Sequence, residues 1–250
     1  RRRIISSLNP NKFNMVERLI RYHESRGDKI LVFCDVLHVL AVYGTKLRKS
    51  QVGNLIRPVL QGSTSMEDRH RIFSEFKSSS RVNCIFISSI GDKAIDLPDA
   101  NVLIQICSHF GARMQEAQRL GRILRKKPGK IDEFNAFFYT IVSEDTKEMF
   151  FSTKRRQFLT NQGYVFEVVQ ENDGSVDKRW PLTQKNSTLT YQDPSTHQEL
   201  LNEALGTLDD QAKQEEEEEH ERNLEEEQTD VVTVRQFNPF GAANIEFANI

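Results

Sequence analysis

The sequence has little of what would staple a chain or anchor it. Cysteine occurs three times in 250 residues, at Cys34, Cys84 and Cys107. The number is odd and no Cys-x-x-Cys pair occurs, so neither a disulfide framework nor a zinc site is indicated. Each cysteine sits in an apolar run of strand type and reads as a reduced core thiol. The six histidines, His23, His38, His70, His109, His197 and His220, show no ligand spacing with one another or with the cysteines, and no metal site is expected. No apolar run approaches the roughly 18 residues of a membrane span. The opening "RRRIISSLNPNKF" lacks the apolar stretch that a signal peptide places after its basic residues. An intracellular protein is expected, with enough apolar residues (38%) to bury one sizeable core unaided. Met is missing from position 1, which points to a piece of a longer chain.

Net charge is also nearly missing, at -2, but this conceals a division. Residues 1–170 hold 28 Lys and Arg against 17 Asp and Glu; residues 171–250 hold 6 against 19. A basic folded part suits a polyanion such as nucleic acid or nucleotide. An acidic tail suits solubility, mimicry of that polyanion, or a basic protein partner.

Between Pro10 and Tyr164 helical and strand patterns alternate. Asn9 is a candidate N-cap, Pro10 stands at the first helical position, and Phe13, Val16, Leu19 and Ile20 give an apolar face that closes on Gly27. Runs at 29–35, 57–62, 83–89, 101–108, 135–143 and 164–170 read as strands, most of them apolar throughout. Ser65 with Asp68 forms a capping box before a helix whose buried face is Ile72, Phe73 and Phe76. Such alternation predicts an α/β, doubly wound parallel sheet with helices on both faces, over residues 1–170. Ligands of such sheets gather at the carboxyl ends of the strands, here the loops at 61–65, 88–96 and 108–114. Residues 171–250 are expected to be an acidic, largely disordered tail with one short helix near His197–Leu208. The last twenty residues regain Val, Phe and Ile, and read either as a docking peptide or as an uninformative tail.

The stretch "QEAQRLGRILR" separates cleanly at about 100° per residue. Ala117, Leu120, Ile123 and Leu124 cover one arc; Gln115, Gln118, Arg119, Arg122 and Arg125 cover the other, with Gly121 at the border. A shelf of guanidinium groups suits bidentate contact with phosphate oxygens, although a solvated helix face reads the same way. "SSIGDKAIDLP" and "QGSTS" place glycine, hydroxyl and carboxylate groups at the expected sheet edge; either alone is equally a turn or a cap.

Together these features resemble the second RecA-like lobe of superfamily 2 helicases, whose closing motif Gln-x-x-Gly-Arg-x-x-Arg is matched by Gln118, Gly121, Arg122 and Arg125. Over about residues 9–170, segments such as "KILVFCD", "VNCIFISSIGDKAIDLPDANVLIQICSHFGARMQEAQRLGRILRKK" and "STKRRQFLTNQGYVFEV" are similar to the C-terminal helicase lobe of the XPB family. That family comprises the DNA translocases of general transcription factor II H. The resemblance implies an ATP-dependent 3′–5′ DNA helicase or translocase of the nucleus, used in promoter opening and nucleotide excision repair. Arg122 and Arg125 are then arginine fingers; Gln118, Gly91, Asp92 and Asp96 lie at the nucleotide; and Gly62, Ser63, Thr64 and Ser88 touch DNA backbone. Ala94, Phe110 and Met114 depart from the family pattern.

No Gly-x-x-x-x-Gly-Lys-[Ser/Thr] sequence is present. ATP with Mg²⁺ is therefore expected to be held mainly by a first lobe outside these 250 residues, leaving this lobe inactive alone. The implied partners are that lobe, DNA and other subunits of the transcription factor. The alternative is a helicase-derived fold kept as a non-catalytic scaffold or interaction module.

Overall fold

The computed structural model describes residues 2–48, 55–79, 81–88, 100–107, 137–161, 168, 189–191 and 193–206. Five parallel strands lie in the order β2-β3-β1-β4-β5: β1 (Ile30–Cys34), β2 (Val59–Leu60), β3 (Cys84–Ile87), β4 (Val102–Cys107) and β5 (Phe137–Thr140). Across the sheet Val32 aligns with Phe86 on one side and Ile104 on the other, and Ile104 with Tyr139. β1, β3 and β4 are buried along their whole length, as continuous apolar strands covered on both faces must be. β5 departs from that expectation. It has one neighbour among the described residues, and all four of its residues are half-buried.

The helices around the sheet are α1 (Arg2–Ser7), α2 (Pro10–Ser25), α3 (Leu37–Lys46), α4 (Met66–Ser78), α5 (Lys147–Asn161) and α6 (194–206). On one face Phe76 of α4, with Ile72 and Phe73 partly buried beside it, packs against Leu31, Phe33, Leu60, Ile85, Ile87 and Leu103. The alternate residues Ile30, Val32 and Cys34 are equally buried, and α2 and α3 both contact β1. Asn9 caps α2 by accepting from Asn11 N. Gly27, at φ 74°, ends the helix: its N–H donates to Glu24 O while Asp28 N–H donates to His23 O, the doubled bond of a Schellman turn. Gly44 in α3 lets Val59 approach so closely that a Cβ there would collide with the valine's Cγ2. Glu148 at the start of α5 accepts from Lys12 Nζ at 2.7 Å, from Ser143 N and from Ser6 Oγ, tying α1 and α2 to α5. α1 is unmarked in the sequence, yet Ile4 and Leu8 are buried.

The amino-terminal edge of the sheet is a connected polar network. Buried His23 pairs through Nδ1 with Asp28 Oδ2 at 2.7 Å and through Nε2 with the Tyr139 hydroxyl at 2.9 Å. Asp28 also accepts from Arg26 Nε and Asn101 Nδ2. Burial pushes its carboxyl up, but the hydrogen bonds from His23, Asn101 and Arg26 outweigh this and hold it below the usual carboxylate range. Nearby, Arg57 grips Glu24 with two 2.7 Å bonds and gives a third to Leu47 O, with both side chains almost wholly excluded from solvent.

The compact unit extends past the boundary expected at residue 170, running from Arg1 to Thr207. Pro194 follows Asp193, whose carbonyl accepts from His197 N–H, so α6 starts on an ordinary N-terminal signature. It lies where a short helix is expected. What the polar sequence hides is its docking: Leu189, Tyr191, Leu200 and Ala204 are all buried. Tyr191 meets Phe13 edge to face at 4.7 Å, Phe13 stacks on Tyr43, Thr190 N–H donates to Glu17, and Lys46 pairs with Glu199 and Glu203. Four apolar contacts on a surface already formed by α2 and α3 suffice where composition alone predicts disorder. The strand expected at 164–170, the arginine helix and the acidic block lie outside the described residues. No described helix is long and apolar enough to cross a membrane.

Candidate nucleic-acid interface at the carboxyl edge of the sheet

β2 and β3 are neighbours, so their carboxyl ends bring two expected sites together. Leu60 aligns with Ile87, and Ser88 N–H donates to Leu60 O at 3.1 Å. Ser88 is thus placed beside the start of the Gln61–Ser65 segment. That segment is a tight turn: Thr64 N–H donates to Gln61 O at 3.0 Å, and Gln61 N–H donates to the Thr64 hydroxyl at 3.0 Å. Gly62 and Ser63 project into solvent, Ser63 accepting from Gln61 Nε2. Ser65 then caps α4 by accepting from Asp68 N–H at 3.1 Å, and its own hydroxyl donates to Asp68 Oδ2. Hydrogen bonds from Arg71, then from Ser65, hold the exposed Asp68 carboxyl below its ordinary value.

Arg69 is a member of this edge that the sequence patterns do not single out. Its Nη2 donates to Gly62 O at 2.8 Å and to Gln61 O at 3.3 Å, so a cation sits directly under the turn. The signal was its position four residues after the Ser65 cap, on the side of α4 that faces back to its own N-terminus. Ser88 is 1% exposed, and its hydroxyl has no partner among the described residues; nor has Arg69 Nε. Buried polar groups are nearly always satisfied, so Ser88 Oγ and Arg69 Nε are two groups at this edge open to a further partner. A solvent-facing turn of hydroxyl and backbone groups with an arginine beneath it suits phosphate oxygens.

The remaining expected residues divide cleanly. Gly91, Asp92 and Asp96, and Gln118, Arg122 and Arg125, lie outside the described residues. The chain enters their two segments from Ser88 and from Cys107, after the carboxyl ends of β3 and β4. No group of three His, Cys, Asp or Glu residues suited to a metal ion occurs among the described residues.

A parallel sheet of this order, wrapped by helices, is the RecA-like fold of helicase lobes. Among solved structures, domain 2 of the DEAD-box helicase Mss116p, described as bound to an RNA duplex, shares the fold at a TM-score of 0.50 and 18% identity, covering 66% of this chain and 62% of that one. Within the class, the chain belongs to the ERCC3/RAD25/XPB C-terminal helicase family, whose model matches residues 1–233.

Curated relatives agree. The chain is 48% identical over 212 residues to the Arabidopsis thaliana general transcription and DNA repair factor IIH helicase/translocase subunit XPB2, covering 81% of this chain and 26% of that protein. With the Saccharomyces cerevisiae subunit XPB/SSL2 it shares 45% over 205 residues, 82% and 22% of the two lengths. With the Drosophila melanogaster subunit XPB it shares 52% over 168 residues, 67% and 20%. The chain spans about a quarter of the length of the curated relatives it matches.

Proposed function

We propose that the chain is the C-terminal motor lobe of an XPB-type, ATP-dependent 3′–5′ DNA translocase, acting in the nucleus in promoter opening and excision repair as part of transcription factor IIH. The observation that carries the reading is the meeting of Ser88, the Gln61–Ser65 turn and Arg69 at the carboxyl edge of a sheet whose sequence matches the helicase family over residues 1–233. In this reading Gly62, Ser63 and Thr64 track the DNA backbone and the orphaned Ser88 hydroxyl donates to it. Arg122 and Arg125, with Gln118, Gly91, Asp92 and Asp96, reach across a cleft to ATP. Bound ATP with Mg²⁺ supplies the phosphoryl group whose hydrolysis powers closure and reopening of the lobes. Its phosphate cradle and metal ligands belong to the first lobe, so this lobe alone hydrolyses no ATP.

The test joins this lobe to its upstream lobe and measures DNA-stimulated ATPase with Arg125→Ala. Arginine fingers are worth roughly 10³–10⁵ in rate; a fall of about 10³ is expected. An unchanged rate would leave the scaffold reading in place.

A further inference from the structure

The two strands at the centre of the sheet end on cysteines that face each other. β1 and β4 pair in parallel, a shift of register after Phe33 aligns Cys34 with Cys107, and the two Sγ atoms lie 2.9 Å apart in a hydrogen bond. Both side chains are buried, Cys34 completely and Cys107 to 6% exposure. Gln105, two residues before Cys107, aligns with Phe33, so the shift of register places it on the opposite face of β4 from Cys107. Gln105 and Cys107 line a cavity of about 20 Å³, bounded also by Arg3, Glu148 and Arg155, which is room for one water-sized molecule.

We propose that Cys34 and Cys107 are a redox-active dithiol, with Cys107 as the attacking sulfur, that closes to an intradomain disulfide when a peroxide reaches Cys107. The hydrogen bond from Cys34 lowers the Cys107 thiol against the opposing effect of burial, and the Arg3 cation adds to this; burial, then the same neighbour, raises Cys34. Cys107 is therefore the first to become thiolate, the form that reacts.

In the first step the Cys107 thiolate attacks one peroxide oxygen. An S–O bond forms, the O–O bond breaks, and the leaving hydroxide takes up a proton to become water, with Cys107 now a sulfenic acid. In the second, Cys34 sulfur attacks Cys107 sulfur; the S–S bond forms, the S–O bond breaks, and hydroxide leaves with the Cys34 proton as a second water. Two thiols are oxidised by two electrons and one peroxide is reduced to two waters. A small dithiol reverses the reaction by exchange. The clip would join the ends of β1 and β4 immediately before Ser108, where the sequence begins its run toward Gln118, Arg122 and Arg125.

The third cysteine is an internal control. Cys84 is buried in β3, where burial raises its thiol, and the other two cysteines are engaged with each other. The experiment exposes the protein to hydrogen peroxide, alkylates the remaining thiols after unfolding, and maps the peptides by mass spectrometry. A Cys34–Cys107 linked peptide is expected, with Cys84 still alkylated. In Cys34→Ser the reaction should stop at a Cys107 sulfenic acid that a dimedone probe captures. The proposal fails if wild type keeps all three thiols, if Cys84 is oxidised first, or if the linkage joins two molecules. The wild-type peptide map decides the central point even if a variant does not fold.

Discussion

The two edges of the sheet both bury polar side chains and treat them in opposite ways. At the amino edge buried Asp28 is bonded to buried His23, half-buried Asn101 and exposed Arg26, and buried Arg57 is paired with buried Glu24. At the carboxyl edge Ser88 Oγ and both amide atoms of Gln105 are buried without partners among the described residues, and two thiols meet in contact. A satisfied buried network holds a fold in one arrangement, while an unsatisfied one costs stability and awaits a ligand. The amino edge of this lobe is therefore held in one arrangement, and under the proposed function the carboxyl edge is where it meets its ligands, as expected for open parallel sheets.

That contrast breaks first, and most, at Arg57. Arg57→Ala removes both charge-assisted bonds that Arg57 gives the buried Glu24 and should cost about 3–5 kcal/mol in chemical unfolding. Asp28→Asn comes next, at about 2 kcal/mol, because charge-assisted bonds from His23 and Arg26 are lost. Its pH signature follows from the sign of the shift. A carboxyl held low in the folded state binds fewer protons there than in the unfolded chain, so its contribution is complete above about pH 4 and disappears as pH falls through the folded value. Wild type should lose stability on acidification in that window, and Asp28→Asn should lose less. Gly44→Ala follows, at about 1–3 kcal/mol, since the new methyl must displace Val59. Ser88→Ala has the smallest effect: removal of an orphaned hydroxyl should be neutral or slightly stabilising.

Much of the fold was legible because its signals are local. The Asn9 and Ser65 caps, the Gly27 stop and the apolar runs of β1, β3 and β4 each rest on a few adjacent residues, and each is found where the pattern places it. What escaped depends on distant partners. Nothing local joins Arg57 to Glu24, 33 residues away, or Cys34 to Cys107, 73 away. Tyr191 is buried against Phe13, 178 positions earlier, which offers a ring edge. The candidate site was legible to the same degree. Ser88 and the Gln61–Ser65 turn could be assigned to one edge from strand order and the carboxyl-end rule, whereas Arg69 entered only through its contact with Gly62 O. The arginine helix was legible as a motif and lies outside the described residues.

The division of labour between the edges is tested most directly by placing Ser88→Ala and Asp28→Asn side by side in the lobe joined to its upstream partner, with Tm and DNA-stimulated ATPase per folded molecule measured for both. Loss of a charge-assisted hydrogen bond to phosphate is worth about tenfold or more. The account predicts that Ser88→Ala keeps its Tm and loses about tenfold in activity, while Asp28→Asn loses Tm and keeps its activity. Activity retained in Ser88→Ala, or lost in Asp28→Asn at full folding, would contradict it.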